Sequence, residues 1–171
     1  MAKNIEIQCR VNGKDVSGSC EPRTLLADFL RDHLDLTGTH VGCEHGACGV
    51  CSIMVNGHAV RSCIMLAVQA NGANITTIEG IAKAGKFHVV QKTFHENHAL
   101  QCGFCTPGML AVIIDFLSVN PSPTEAEARE AISAVICRCT GYQNIVKAVM
   151  AAAKELRMQS ASVNEGALAH A

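Results

Sequence analysis

The chain has 171 residues, a formal net charge of −1 and 49% apolar residues, with a pI near 6.7. This excludes a basic footprint for nucleic acid or an anionic membrane surface, and no apolar run is long enough to cross a bilayer. The N-terminus, MAKNIEIQCRVNG, carries no apolar leader segment. The ten cysteines of the chain therefore predict a cytoplasmic protein that uses thiols for metal binding or catalysis before disulfides.

Residues 4–11 alternate, with Ile5, Ile7, Cys9 and Val11 on one face. Asn12-Gly13 is a hairpin signal, and Val16–Cys20 returns as the second strand. Leu25, Leu26, Phe29 and Leu30 recur at helical spacing, predicting a helix from about Thr24 to Leu34. A glycine-rich loop follows. Ser52–Val55, the Asn56-Gly57 turn and His58–Arg61 form a second hairpin, and Ile75–Ile78 closes this half. Two hairpins crossed by one helix suggest a small β-grasp sheet.

Composition shifts near Lys83, where Lys83-Ala-Gly-Lys86 reads as a linker. Helices are predicted at Val89–His98 and at Pro107–Val119, the latter with proline in its favoured first turn. A third runs from a capping box at Ser122-Pro123-Thr124-Glu125 to about Ile136, and a fourth spans Gln143–Arg157. The fold class is α+β. A β-grasp, plant-type ferredoxin domain occupies residues 1–82, a four-helix-bundle domain residues 83–157, and a frayed tail residues 158–171.

Eight cysteines form two groups. Cys43-x4-Cys48-x2-Cys51, joined by Cys63, has the plant-ferredoxin spacing that a [2Fe–2S] cluster requires. Gly42, Gly46, Ala47 and Gly49 let that loop curl around an inorganic core and aim N–H groups at sulfur. Cys102-x2-Cys105 and Cys137-x-Cys139 make the second group. Cys105 and Cys139 precede helices, whose N-terminal N–H groups favour an anionic centre. Cys102 and Cys137 are expected to close the ends of the other two helices. Two such sets in one short chain suggest a relay of electrons. No Ser/His/Asp set or phosphate-binding loop appears, so the chain offers no self-contained catalytic site.

Plainer readings cover the remaining candidates. Cys9 and Cys20 read as small buried hydrophobes. His40 and His45 read as loop or solvent-facing residues, and Glu44 as a solvated charge. Phe104 reads equally as a shield for the second cluster or as core. Met109, Leu110, Ile113 and Leu117 form a core stripe.

The motifs GCEHGACGVC, QCGFCTPG and CRCTGYQNIVKA, supported by AVQANGANITTIEG and NPSPTEAEAR, resemble the small iron–sulfur subunit of the molybdenum hydroxylases, the xanthine dehydrogenase and aldehyde oxidase family. The resemblance covers about residues 4–157. It implies one [2Fe–2S] cluster on Cys43, Cys48, Cys51 and Cys63 and another on Cys102, Cys105, Cys137 and Cys139. It also implies two partners: a large subunit with a molybdopterin-type cofactor and a medium subunit with FAD. The assembly is then a hetero-oligomer, a dimer of heterotrimers being one arrangement, with no nucleic acid and no membrane insertion. Electrons are expected to pass from molybdenum through the helical-domain cluster, then the β-grasp cluster, to flavin. Gln101 and Cys139 match the residues that approach the pterin in the family. The chain departs from the family pattern at Ala134-Val135, where Gly-Asn is usual, and at Val50-Cys51-Ser52, where Ala-Cys-Thr is usual. The substrate is expected to be a heteroaromatic compound; an aldehyde, an aromatic acyl-CoA and carbon monoxide remain open. Two other classes are a free-standing two-cluster ferredoxin, for which the neutral charge supplies no acidic docking face, and a structural zinc module, whose usual knuckles these spacings fit badly.

Overall fold

The computed structural model describes residues 3–83 and 85–168, with side chains described through residue 162. Its first half is a mixed sheet of five strands: β1 (Ile5–Val11), β2 (Lys14–Cys20), β3 (Ser52–Val55), β4 (His58–Arg61) and β5 (Asn74–Thr76). Their order is β2-β1-β5-β3-β4; β1 and β5 run parallel and the other neighbours antiparallel. Both hairpins turn where Asn-Gly demands. Asn12 and Gly13, and Asn56 and Gly57, all take positive φ, the geometry that matches the twist of the flanking strands.

The alternation in β1 survives as burial. Ile7, Cys9 and Val11 are buried, whereas Ile5, at the strand's start, is exposed. Cys9 and Cys20 are buried core residues, and burial raises the Cys9 thiol pKa above its ordinary value. The expected first helix is shorter and less regular than its periodicity suggests. α1 (Leu26–Asp28) widens into a π-type turn at Phe29–His33. It still seats Leu26, Phe29 and Leu30 on the sheet. The chain beyond β5 bends at once into the short α2 (Ile78–Ile81), so the last strand is shorter than Ile75–Ile78.

The second half holds α3 (Val89–Glu96), α4 (Thr106–Val119), α5 (Glu125–Ile132) and α6 (Gln143–Leu168). α3 packs on α6, α6 on α5, α5 on α4 and α4 on α3. Met109, Leu110, Ile113 and Leu117 are buried in this core, as the stripe predicts. α3 ends at Glu96, two residues before His98, and three further boundaries differ from expectation. The capping box lies two residues later: Thr124 Oγ1 accepts from the Glu127 N–H, and Glu127 accepts from the Thr124 N–H. α5 stops at Ile132, which frees residues 133–142 to form the cysteine loop. α6 does not fray after Arg157 but continues to Leu168. Met158, Gln159 and Ala161 keep reasonable helix propensity even though their faces no longer alternate. The last three positions of the expected tail lie outside the described residues.

The two halves share a seam. α4 packs on β3 and β4, and Val50, from the first cysteine loop, is buried in the helical core. Among the described residues, no helix is long and apolar enough to cross a membrane.

Candidate metal centres

In the sheet half, Cys43 and Cys48 lie on an irregular loop and Cys51 directly precedes β3. Glu44, Gly46 and Gly49 take positive φ, which curls the loop back on itself. The curl turns the Cys48 N–H onto Cys43 Sγ at 3.3 Å. Backbone donation from Cys48 and His45 lowers the Cys43 thiol to about 6. Cys63 sits on the tight turn Ser62–Ile64 after β4. The register of β3 on β4 opposes Ser52 to Arg61, and Ser62 Oγ donates to the Cys51 carbonyl at 2.8 Å. Cys51 and Cys63 are thus held side by side and buried. Burial, and then the neighbouring Cys51 thiol, push Cys63 up to about 11.

In the helical half, Cys105 is the N-cap of α4 and offers no side-chain cap of its own. Cys102 reaches its position through Gly103, at φ +82°. Cys102 and Cys137 do not close helices, as the sequence suggests, but lie on loops beyond Glu96 and Ile132, because α3 and α5 end early. Cys139 Sγ donates to Cys102 Sγ at 3.4 Å. Cys137 is fastened twice. Its N–H donates to the Tyr142 hydroxyl at 2.8 Å, and its sulfur lies 3.1 Å from Thr140 Oγ1. The Tyr142 hydroxyl in turn donates to the Val135 carbonyl at 3.3 Å. Burial opposes ionisation of Cys137, yet the Thr140 hydroxyl and the Thr140 and Cys139 N–H groups bring its thiol below the ordinary value. Burial and the Cys137 thiol push Cys105 up to about 12.

The two loops touch. The Ile136 N–H donates to the Cys48 carbonyl at 2.8 Å, one residue before Cys137. Two glycines permit the approach. A Cβ on Gly49 would stand 2.1 Å from the Ala134 carbonyl oxygen, and one on Gly108 would stand 2.6 Å from the Gly49 and Val50 carbonyl oxygens. Arg61 Nη2 also donates to the Ala134 carbonyl, at 3.2 Å. A covalent and hydrogen-bonded route therefore joins one thiol group to the other.

The donor chemistry fits [2Fe–2S] clusters. All eight thiols are free, four on the elements of the sheet half and four on the loops of the helical half. Among the described residues, no three His, Cys, Asp or Glu side chains converge on the centre of a single ion. Each set supplies the four thiolates that a dinuclear core takes, with Cys139 Sγ 3.4 Å from Cys102 Sγ in the second set. The buried Thr106 hydroxyl, next to Cys105, has no partner among the described residues, which suits a group rich in sulfur acceptors.

Gln101 is exposed next to Cys102, and Cys139, also exposed, lies against Cys102. Glu44 and His45 are exposed, as expected; His45 Nδ1 meets the Cys43 carbonyl. Phe104 is not core: it is 49% exposed. It stacks on His40, which is accordingly half-buried and not a free loop residue. Sequence reasoning also passed over Tyr142, Thr140 and Gly108. Gly108 carried a signal, since glycine in a helix costs stability unless another backbone comes close. Tyr142 is the single tyrosine of the chain and sits three residues after Cys139, a hint that its hydroxyl serves the cysteine loop.

A 2Fe-2S iron-sulfur cluster binding domain family matches residues 9–75, and a [2Fe-2S] binding domain family matches residues 77–150. The chain is 53% identical over 146 residues to caffeine dehydrogenase subunit gamma from Pseudomonas sp. (strain CBB1), covering 84% of this chain and 87% of that one. It is 53% identical over 141 residues to the 6-hydroxypseudooxynicotine dehydrogenase complex subunit beta from Paenarthrobacter nicotinovorans, covering 82% and 88%. A chain of quinoline 2-oxidoreductase from Pseudomonas putida 86 superposes with a TM-score of 0.88 at 46% identity, covering 92% of this chain and 98% of that chain.

Proposed function

Because the chain belongs to the family of iron–sulfur small subunits of molybdenum hydroxylases, we propose that it carries electrons from a molybdenum–pterin site on a large subunit to FAD on a medium subunit. Its two domains are then a β-grasp ferredoxin domain and a four-helix-bundle domain, each holding one [2Fe–2S] cluster. Cys102, Cys105, Cys137 and Cys139 hold the cluster that receives electrons, and Cys43, Cys48, Cys51 and Cys63 the one that passes them on. When bound, these clusters supply one-electron acceptance and release.

The observation that carries this reading is the contact between the two loops, with Ile136 N–H on the Cys48 carbonyl at 2.8 Å. A relay needs its two sites in one continuous path, and the glycines at 49 and 108 leave room for the two halves to come this close. A difference in exposure supports the direction. Cys102 and Cys139 are open at the surface, and Leu100, Phe104 and Ile136 around them are exposed apolar side chains. An apolar rim around an open redox site suits a partner that covers it. Gln101 and Cys139 face that partner and, in this reading, meet the pterin. In the sheet half, Cys51 and Cys63 are buried, Cys43 and Cys48 are half-buried, and the exposed Ile64 follows Cys63 on the face where the flavin subunit would dock.

The relatives' names support a heteroaromatic substrate for the large subunit, since caffeine, a hydroxylated pyridine compound and quinoline all carry nitrogen heterocycles. A cytoplasmic location fits, because thiols stay reduced there and ready for cluster loading. The test is purification of the native complex. The expected result is iron and acid-labile sulfide for two clusters, co-purifying molybdenum and flavin, and turnover on purines, pyridines or quinolines ahead of aldehydes. A lone monomer with both clusters and no molybdenum would point instead to a free ferredoxin, and zinc in place of iron would end the electron-transfer reading.

A further inference from the structure

The loop from Cys137 to Tyr142 closes on itself through two hydroxyls, those of Thr140 and Tyr142. Gly141 and Tyr142 both take positive φ, +60° and +66°, just ahead of α6. That conformation is strained for a bulky residue and persists only where its surroundings hold it. Here the turn carries the Tyr142 N–H back onto Thr140 Oγ1, at 3.1 Å. It also sets the phenol hydroxyl between the Cys137 N–H and the Val135 carbonyl, at 2.8 and 3.3 Å.

The Thr140 hydroxyl faces a sulfur. Thr140 Oγ1 lies 3.1 Å from Cys137 Sγ. A threonine hydroxyl has one proton to give and two lone pairs that accept. A backbone N–H can only donate, so the Tyr142 N–H occupies a lone pair and leaves the proton free. A cysteine that ligates iron is a thiolate and can only accept. The bond therefore runs from Thr140 to the sulfur. Cys137 is 8% exposed, so little water competes for that sulfur, and the low local dielectric strengthens the bond. In the sheet half the hydroxyls beside the cysteines are turned to carbonyls instead. Ser52 donates to Gly49 at 2.7 Å and Ser62 to Cys51 at 2.8 Å.

We propose that Thr140 is a positioning residue that sets the reduction potential of the helical-half cluster through Cys137. This inference rests on the cluster reading above. Reduction adds negative charge to a cluster and its ligand sulfurs, and a hydroxyl aimed at one of them stabilises the reduced form more than the oxidised form. The bond thus raises the potential and makes this cluster the better acceptor. The turn at Gly141 and Tyr142 holds the hydroxyl in place, so that its proton stays on sulfur. A hydrogen bond to a charged group carries enough free energy for a several-fold to tenfold change in the reduction equilibrium, tenfold being about 59 mV for one electron.

The test is an EPR-monitored redox titration of the assembled complex, with the two signals assigned through Cys43→Ser and Cys102→Ser. Thr140→Val keeps the shape and removes the donor, Thr140→Ala removes it with less bulk, and Thr140→Ser keeps it. Val and Ala are each expected to lower the reduction equilibrium of the helical-half cluster several-fold and to leave the sheet-half signal in place. Ser is expected to hold the wild-type value. Val and Ala complexes at wild-type potential, an equal shift of both signals, or a Ser variant shifted as far as Val would each overturn the inference. Loss of the helical-half cluster from both Val and Ala would overturn it too, since the hydroxyl would then build the site and not set its potential. A wild-type complex without [2Fe–2S] signals would instead sink the cluster reading beneath it.

Discussion

In the sheet half, four thiols come from one loop and one turn, and the strand register of β3 on β4 sets the spacing of Cys51 and Cys63. Backbone rigidity holds that site, and two of its thiols are buried. In the helical half, the thiols come from two loops between helices, and side chains do the fastening: Tyr142 and Thr140 grip Cys137, and His40 steadies Phe104. Two of its thiols stand open to solvent. A site framed by a sheet can be closed and can tolerate change in its surroundings. One framed by loops can be opened toward a partner, but depends on individual side chains to keep its shape. In a relay, the open site belongs where a second protein delivers electrons.

The largest expected effect that sharpens this contrast comes from Cys139→Ser. It removes a ligand on the open side and the residue proposed to meet the pterin. Turnover of the complex should fall by orders of magnitude and the helical-half EPR signal should be lost, while the sheet-half signal survives. Unchanged turnover would break the assignment of roles.

Next comes Gly108→Ala. Its Cβ would meet backbone oxygens of Gly49 and Val50 at 2.6 Å, and backbone cannot step aside as a side chain can. The halves should part slightly at a cost of roughly 1–3 kcal/mol. Thermal unfolding should report that loss, and freeze-quench EPR should report slower transfer between the two clusters. Tyr142→Phe should cost about 1–3 kcal/mol by leaving the Cys137 N–H without its acceptor. It should broaden the helical-half signal alone. An equal effect on both signals would deny that side chains matter more in that half.

The smallest effect concerns protons. In the cluster-free chain, Cys43 at about 6 and Cys63 at about 11 should differ in alkylation. The thiolate is the nucleophile, so Cys43 should gain reactivity as pH rises through about 6, while Cys63 stays inert to well above neutrality. The sign for stability follows: the Cys43 value is depressed in the fold, so its contribution is full above the ordinary thiol value and is lost as pH falls through about 6. Mass-spectrometric mapping of alkylated thiols against pH checks the order.

Much of this contrast was legible in the sequence. The Asn-Gly turns, the strand alternation and the cysteine spacings are local signals, and local chemistry decides them. The spacing Cys43-x4-Cys48-x2-Cys51 needs no tertiary information to be read. The early end of α5 was not legible, because residues 133–136 are apolar or small and continue a helical pattern that the cysteine loop overrides. The continuation of α6 to Leu168 was missed for the opposite reason: propensity sustains a helix there after amphipathic periodicity has faded. Neither the seam at Gly49 and Gly108 nor the reach of His40 to Phe104 could be read, since each joins residues far apart in the chain. Such contacts belong to the packing of one half on the other, which no single segment encodes.

The central claim is that electrons arrive at Cys102, Cys105, Cys137 and Cys139 and leave through Cys43, Cys48, Cys51 and Cys63. Freeze-quench EPR of the complex assembled with Cys43→Ser and mixed with a heteroaromatic compound that the wild-type complex turns over tests it most directly. The account predicts that the helical-half signal still appears at the wild-type rate while flavin stays oxidised. Flavin reduced at the wild-type rate, or a helical-half signal that fails to form, would contradict it.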